Sequence, residues 1–366
     1  MIKYLKRGAL LSSKRLGIFS AVRTSRWRRR RLTILCYHGV SLADEHEWNP
    51  LYYMDPASFE GRLRLLRDGG YNVMPLASAL EGLRGGTLPP GSVALTFDDG
   101  MYDFYARAFP LLEKYGFPAT VYLTTYYSDY NRPVFDVFCS YLLWRGRDSN
   151  VDLGRFLPEL GGSDLRTEDA RAVVRAVIGS HVARERFSAA DKDAICERLA
   201  RLLGVDYEDL LRRRLLHVLS NAEVRELAAK GVDFQLHTHR HRVPVEREAF
   251  LREIRDNRRR IHDLAGANPV HFCYPSGVHR PEFFPWLGEA GVTSATTCEG
   301  GLATSRTPSL LLPRIVDGMQ LAPIEVEGWL SGVSSFLPRR AVPAPIVGPY
   351  APGTPGLGPA PTILGS

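Results

Sequence analysis

The stretch Val93-Ala94-Leu95-Thr96-Phe97-Asp98-Asp99-Gly100 runs from β-favouring apolar residues straight into two carboxylates and a glycine. The apolar run reads as a buried strand whose C-terminal end opens into a site. Gly100 permits a sharp turn, so both acids can face one pocket in spite of strand alternation. Adjacent carboxylates repel unless a cation neutralises one of them. A metal on one acid and a proton on the other is the economical chemistry. For the tripeptide taken alone, a solvated Asp-Asp-Gly turn is the stronger reading, so the surrounding chain has to decide.

Upstream, Leu32-Thr33-Ile34-Leu35-Cys36-Tyr37-His38-Gly39-Val40 reads as another buried strand, with His38 at its end as a pocket residue or a hydrogen-bonded core histidine. A helix is expected from Ser58 to Gly69-Gly70, a short strand at residues 71–76 and a helix from Ala77 to Leu83. Downstream come a helix ending at Tyr115-Gly116 and a strand from Pro118 to Leu123. Tyr126, Tyr127 and Tyr130 follow as sugar-stacking rings or as plain rim packing. From Asn131 to Val218 strands give way to charged helices, Thr167–His181 and Ala189–Leu203 among them. This stretch reads as a helical insertion.

Ser220-Asn221-Ala222-Glu223 is a capping box that opens the next helix. Strands are then expected at 232–236, 270–273, 291–297 and 310–315, with a helix over 245–265. Strand and helix alternate as in a parallel sheet closed or wound by helices. The expected fold is α/β, a distorted (β/α) barrel of about seven parallel strands with a helical insertion. Its divisions are a basic arm at 1–31, barrel segments at 32–130 and 219–335, the insertion at 131–218, and a Pro/Gly-rich tail at 336–366 expected to be disordered.

The net charge of +7 is uneven: the first 31 residues hold eleven Lys and Arg and no acid, leaving −4 for the remainder. Basicity therefore belongs to the arm, which could form an amphipathic helix with Leu5, Leu16, Ile18, Phe19 and Val22 on its apolar side. The arm is expected to be solvated or to rest on anionic lipid. Nucleic acid is the weakest of its partners, suggested only by Arg28 to Arg31. Lys14 and Arg15 interrupt any export signal, and no run reaches the ~18 apolar residues of a membrane span. Five scattered cysteines with no CxxC pair suggest a reducing compartment. The expected address is cytoplasmic, at or near the inner face of the membrane.

The deciding second motif is His237-Thr238-His239-Arg240-His241, just beyond a strand. His237 and His241 stand four apart, a spacing that suits one divalent metal, although His239 between them leaves the choice open. Two imidazoles, a carboxylate and open positions describe a catalytic rather than a structural metal site.

Together, Thr96-Phe97-Asp98-Asp99-Gly100 and His237-Thr238-His239-Arg240-His241 resemble the TFDDG and H-[S/T]-x-x-H motifs of the NodB-like polysaccharide deacetylases, a family of carbohydrate esterases. The similarity runs from the Tyr37-His38 strand to about Trp329, excludes the arm and tail, and is weak in the insertion. The resemblance implies that Asp98 is the general base and that Asp99, His237 and His241 are the ligands. Thr238 would buttress the loop. The implied cofactor is one divalent ion, zinc first, with cobalt or nickel as alternatives. The family's R-P-P-Y-G motif falls on Cys273-Tyr274-Pro275-Ser276-Gly277, which implies the Ser276 N–H as oxyanion donor and brings Tyr274 and Pro275 to the substrate. Here Cys273 replaces the arginine that orients the base. The family's late Leu-x-His is replaced by Leu312-Pro313-Arg314-Ile315. A subset of similar proteins pairs such a loop with a Pro-Arg strand, so Arg314 is expected to orient Asp98 in the missing arginine's place. The general acid is unassigned among His38, His239 and His279.

The expected activity is removal of acetyl from an N-acetylhexosamine of a polysaccharide or lipid-linked precursor. A silent glycan-binding protein and a cyclic-amide hydrolase on the same scaffold are the competing readings. Oligomeric state is not legible.

Overall fold

Arg314, the residue whose role the sequence leaves hardest to judge, sits where one chain segment joins the last strand of a curled sheet to its first. The computed structural model describes residues 2–149, 151–162 and 164–337. Its strands are β1 (Arg31–Tyr37), β2 (Gly39–Val40), β3 (Tyr53–Met54), β4 (Asn72–Val73), β5 (Ser92–Phe97), β6 (Thr120–Leu123), β7 (Asp233–Leu236), β8 (His271–Cys273), β9 (Ser294–Thr296), β10 (Ala303–Thr304) and β11 (Ile315–Val316). Among the described residues β11, β1, β5, β6, β7, β8 and β9 lie side by side and parallel. The two-residue strands β4 and β10 flank β5 and β1.

Closure comes from residues 309–316. Ala295 N–H donates to Ser309 O at 2.8 Å, and Leu312 N–H to Ala295 O at 2.9 Å, so the first part of this segment pairs with β9. Its second part, β11, pairs with β1. A single strand was expected at 310–315; the segment instead changes partners at Pro313, which has no N–H to give either neighbour.

Side-chain alternation then sorts the barrel. Leu35, Tyr37, Leu95, Phe97, Val121, Leu123, Phe234, Leu236 and Phe272 pack in the large hydrophobic layer under the helices. Leu32, Ile34, Ala94 and Leu312 face inward, onto Leu76, Leu80 and Leu83 of the helix Leu76–Gly85, which floors the barrel. Higher on the same inward register come Cys36, Thr96, Tyr122, Cys273 and Thr296, all buried. The apolar floor thus gives way to polar groups at the C-terminal strand ends, where α/β barrels carry their sites.

The insertion contributes helices Phe135–Arg145, Glu168–Arg184, Ala189–Leu202 and Tyr207–Arg212. It is tied to the barrel through Asp44, which accepts hydrogen bonds from Tyr141 Oη and from Arg145 Nη1, both at 2.5 Å.

The N-terminal arm departs from its expected form. Rather than one solvated helix it forms three, Ile2–Arg15, Ile18–Thr24 and Arg26–Arg29, packed on the helix Pro323–Ser331. Leu10 and Phe19 are buried against Val333. Gly328 lets the helices approach, because a β-carbon there would stand 2.8 Å from Leu10 Cδ2. Arg28 is fully buried, donating to Leu330 O at 2.9 Å and Thr33 Oγ1 at 2.8 Å. Leu5, Leu16 and Ile18, expected on the arm's apolar side, are exposed, whereas Phe19 of the same set is buried. The tail expected from 336 falls outside the described residues beyond 337. Val333–Phe336 form a helical turn, and Phe336 stacks 4.7 Å from Trp27, so the fold extends one residue past the expected boundary.

Candidate active site

β5 delivers the two acids. Asp98 N–H continues the ladder to Tyr37 O at 2.9 Å, and the chain then leaves the sheet abruptly. Asp99 has φ 69° and Gly100 φ 72°, and a β-carbon at 100 would collide with Leu123. This double left-handed step turns Asp99 toward the same space as Asp98, which regular alternation forbids. Four of the eight non-glycine residues with positive φ among the described residues, Asp99, Thr238, His241 and Ser276, lie at these strand ends. Such strain persists where surrounding contacts over-determine the backbone.

In the histidine loop those contacts come from the helix Arg247–Ala265. His237 N–H donates to Asn257 Oδ1 at 2.9 Å, and Asn257 Nδ2 donates to Leu123 O at 2.9 Å and Thr125 Oγ1 at 3.0 Å. Glu253, one turn earlier on the same helix Arg247–Ala265, accepts from Arg240 N–H at 2.8 Å. Thr238 Oγ1 accepts from Arg242 N–H at 3.0 Å and closes the loop. Asn257 and Glu253 were missed in the sequence. Their signal was there: both are polar residues on the buried stripe formed by Phe250, Ile254, Ile261 and Leu264.

The nearest donor atoms of Asp99, His237 and His241 lie within 4.8 Å of one another. Each histidine Nε2 stands 3.2 Å from Asp99 Oδ1. His237 Nδ1 donates to Cys273 O at 2.9 Å, which leaves Nε2 with its lone pair aimed at Asp99. Both Asp99 oxygens are buried with no hydrogen bond. A buried carboxylate without hydrogen bonds, beside the Nε2 atoms of two imidazoles, is a donor set that fits a divalent cation. Cys36-His38-Asp98 and Asp98-His237-Cys273 also cluster, but a guanidinium already occupies Asp98.

That guanidinium belongs to Arg314, which has no exposed surface. Nη1 donates to Asp98 Oδ1 at 2.6 Å and Nη2 to Asp98 Oδ2 at 2.7 Å, a fork-to-fork pair. Nε donates to Thr297 O at 3.0 Å and Nη1 also reaches Thr96 Oγ1 at 3.3 Å. Cys273 Sγ, at the position of the family's arginine, lies 3.1 Å from Arg314 Nη2 and 3.5 Å from Asp98 Oδ2. Cys36 Sγ stands 3.5 Å from the same oxygen. Burial would raise the Asp98 carboxyl, yet the charge and hydrogen bonds of Arg314 prevail and hold it well below the usual carboxylate range. Three residues beyond Arg314 the chain is pinned at Asp317, which accepts from Arg62 Nε at 2.9 Å and from Tyr37 Oη at 3.2 Å.

The three candidate acids separate. His38 Nε2 is 3.8 Å from Asp98 Oδ2, with its ring 4.5 Å from Tyr52. His239 turns away, its Nδ1 2.8 Å from Thr125 Oγ1. His279 Nδ1 bonds Gly277 O at 3.0 Å and its Nε2 lies 3.9 Å from Glu299. Tyr274 is buried, its ring 5.6 Å from that of His279, and Pro275 and Ser276 form the turn that follows β8. Of the three tyrosines after β6, Tyr126 and Tyr130 are exposed while Tyr127 packs against the core.

Strand-end carboxylates, a buried Asp99-His237-His241 donor set and a fork-held Asp98 come together at the open end of a parallel barrel. The family model for polysaccharide deacetylases matches residues 85–156 and 164–295, more than half of the chain, and the chain belongs to that family. One relative is the poly-β-1,6-N-acetyl-D-glucosamine N-deacetylase of Escherichia coli strain K12, 33% identical over 94 residues. That stretch is 25% of this chain and only 14% of the relative's length. Two solved structures share the fold. The Streptococcus pyogenes deacetylase PplD aligns with TM-score 0.54 and 19% identity over 84% of this chain and 99% of its own. IcaB from Ammonifex degensii aligns with TM-score 0.50 and 18% identity over 82% and 97%.

Proposed function

We propose that this protein is a metal-dependent hydrolase that removes acetyl from an N-acetylhexosamine in a polysaccharide or a lipid-linked glycan precursor. The observation that carries the reading is the pairing of an unsatisfied Asp99-His237-His241 ligand set with a separately held, ionised Asp98. A silent glycan-binding protein would have no use for a buried Arg314–Asp98 pair beside an unsatisfied carboxylate, each of which costs desolvation. A cyclic-amide hydrolase on this scaffold remains the second reading.

Asp99, His237 and His241 would hold a divalent ion, zinc first, which when bound would supply Lewis-acid polarisation of the amide carbonyl and of water. Asp98 takes the attacking water's proton, and Arg314 fixes its carboxylate plane while keeping it ionised. The Ser276 N–H faces the developing oxyanion, and the loop from Tyr274 to Gly277 holds that donor in place. His38 starts neutral, because burial lowers its pKa, and as the histidine nearest Asp98 it is assigned the relay of the proton that Asp98 has taken from water on to the leaving amine. The test is acetate release from β-1,4- and β-1,6-linked N-acetylglucosamine oligomers and from lipid-linked sugars. Release in the zinc-loaded protein that falls to background on chelation and returns with metal is the expected result. Release unaffected by complete metal removal would overturn the mechanism, and none from any substrate would leave the binding protein.

The arm suggests where the enzyme works. Among the described residues, Tyr4, Leu5, Leu11, Leu16 and Ile18 are five of the twelve most exposed large apolar side chains. They look outward while Leu10 anchors the helix, and Arg15, Arg26, Arg29 and Arg30 are exposed around them. No helix of the structure is long and apolar enough to cross a membrane. We propose that this face rests on anionic lipid at the cytoplasmic surface of the membrane. Vesicles containing phosphatidylglycerol are expected to sediment the protein about 10-fold better than phosphatidylcholine vesicles, and the double variant Leu5→Glu, Leu16→Glu to abolish the difference. Equal sedimentation of both proteins would refute this.

A further inference from the structure

The insertion leaves the barrel and comes back to it at the Asp98-Asp99-Gly100 turn. Its last residues, from Arg214, run with Leu219 against the segment that follows the two acids. Met101 and Val218 pair as an antiparallel bridge, and Tyr102 N–H donates to His217 O at 2.8 Å. Leu219 N–H donates to Gly100 O at 2.8 Å. A second bridge, between Pro133 and His217, joins the same segment to the insertion's entry. The left-handed step that aims Asp99 thus has its two carbonyls held from different parts of the chain. Asp99 O accepts from Thr124 Oγ1 of the barrel at 3.0 Å, while Gly100 O is held by the insertion's exit.

This returning segment has an unfavourable backbone of its own. Arg214 and Leu216 have φ 54° and 58°, a region that non-glycine residues avoid unless contacts hold them there. One side chain supplies several of those contacts. The Arg214 guanidinium lies over the Tyr102 ring at 3.9 Å, Nη2 donates to Val218 O at 3.2 Å, and Nη1 donates to Glu223. Glu223 also accepts from Ser220 N–H at 2.8 Å in the capping box of the helix Asn221–Ala229. Arg214 therefore fastens together the residue two beyond Gly100, the returning segment and the helix that leads into β7. A planar cation can stack on one ring and bond along its edge in this way; an ammonium does so only in part.

We propose that Arg214 is a positioning residue for the metal centre. By holding Tyr102 and Val218 it fixes the Gly100 turn, and with it the direction in which Asp99 presents its carboxylate. The proposal rests on the metal-dependent reading of the site and adds a control on that site from outside its motifs. Metal–ligand distances are met only within about 0.2 Å, so loosening the turn is felt as lost affinity.

The test is the zinc dissociation constant of the full chain, measured by competition with a chromogenic chelator well below the melting temperature. Arg214→Ala is expected to weaken zinc about 10-fold, as for loss of a group that orients a metal ligand, and to lower kcat with KM little changed. Arg214→Lys, which keeps a charge over Tyr102 and beside Glu223, is expected to recover part of the affinity. Leu199→Ala, in the buried core of the insertion and outside the returning segment, controls for mere destabilisation. It is expected to lower the melting temperature at least as far and to leave zinc affinity unchanged. Wild-type zinc affinity in Arg214→Ala, or an equal loss in Leu199→Ala, overturns the proposal. Hydrogen exchange at the Tyr102 amide separates it from the reading it rests on. A wild type that binds no zinc, with exchange at Tyr102 quickened by Arg214→Ala alone, sinks the metal reading and upholds Arg214's hold on the turn. Tight zinc binding that Arg214→Ala leaves unchanged does the reverse.

Discussion

Asp98→Asn is expected to lower kcat/KM for acetate release about 1000-fold, the middle of the range for losing a positioned general base. The asparagine keeps the shape but accepts no proton, and it leaves the buried Arg314 guanidinium without its counter-charge. A stability loss of about 3 kcal/mol should accompany the kinetic one. Arg314→Lys tests the same unit from the other side. An ammonium cannot form two coplanar bonds to Asp98 while also reaching Thr297 O and Thr96 Oγ1, as the guanidinium does. We expect about a 100-fold fall in kcat, in line with the loss of an orienting partner. The acidic limb of the rate profile should also move upward. The direction follows from the fork: Arg314 depresses the Asp98 carboxyl in the folded enzyme, so weakening it lets protonation intrude at higher pH. Stability follows the same sign. The pair's contribution is fully present above the unfolded carboxylate value of about 3.9 and is lost as pH falls toward the depressed folded one. Because the two residues act together, the double variant should be little worse than Asp98→Asn. Wild-type turnover in Arg314→Lys with an unmoved acidic limb would remove Arg314 from the mechanism.

Loss of a metal ligand should be the larger effect. His241→Ala leaves Asp99 with one imidazole in place of two, and kcat/KM is expected to fall at least about 1000-fold, equal to about 4 kcal/mol of barrier. Two readouts are independent of turnover. Metal content after gel filtration should drop from one ion per chain to none. Added zinc should raise the melting temperature of the wild type by mass action and leave the variant unmoved. In metal-free protein the substitution should cost only the packing of the His241 ring on His237 and its approach to Asp99, because Nδ1 has no hydrogen bond to lose. A variant that retains one tightly held ion would show that Asp99, His237 and His241 are not the ligand set.

Much of this centre was legible because it obeys local rules. The Asp98-Asp99-Gly100 step sits at the end of an apolar run, and His237 and His241 sit four apart after another. Each needs only strand alternation and a turn to be placed. Asn257 and Glu253 are different in kind. As single polar residues on an apolar helical stripe they announce that something is hydrogen-bonded there, but not that it is the histidine loop. The arm was misread for a related reason. Its eleven positive charges outweigh its apolar residues in any composition argument, while Leu10, Phe19 and the buried Arg28 take their environment from a helix some 300 residues later.

By itself the amino-acid sequence determined the alternation of strands and helices, the interruption of that rhythm at 131–218, and the Asp98-Asp99 and His237–His241 motifs. These depend on periodicity and near neighbours, which the chain carries within a dozen residues. The resemblance already pointed to Arg314 beside Asp98, but only the tertiary structure decided the fork by which it holds that carboxylate, which histidine stands beside it, and that the insertion returns to the Gly100 turn. Arg314 reaches Asp98 because residues 309–316 cross from β9 to β1, a closure between strands far apart in the chain. The pair Asp98-Asp99 thus reads as chemistry in the sequence, while the fork that keeps Asp98 ionised and oriented belongs to the closed barrel.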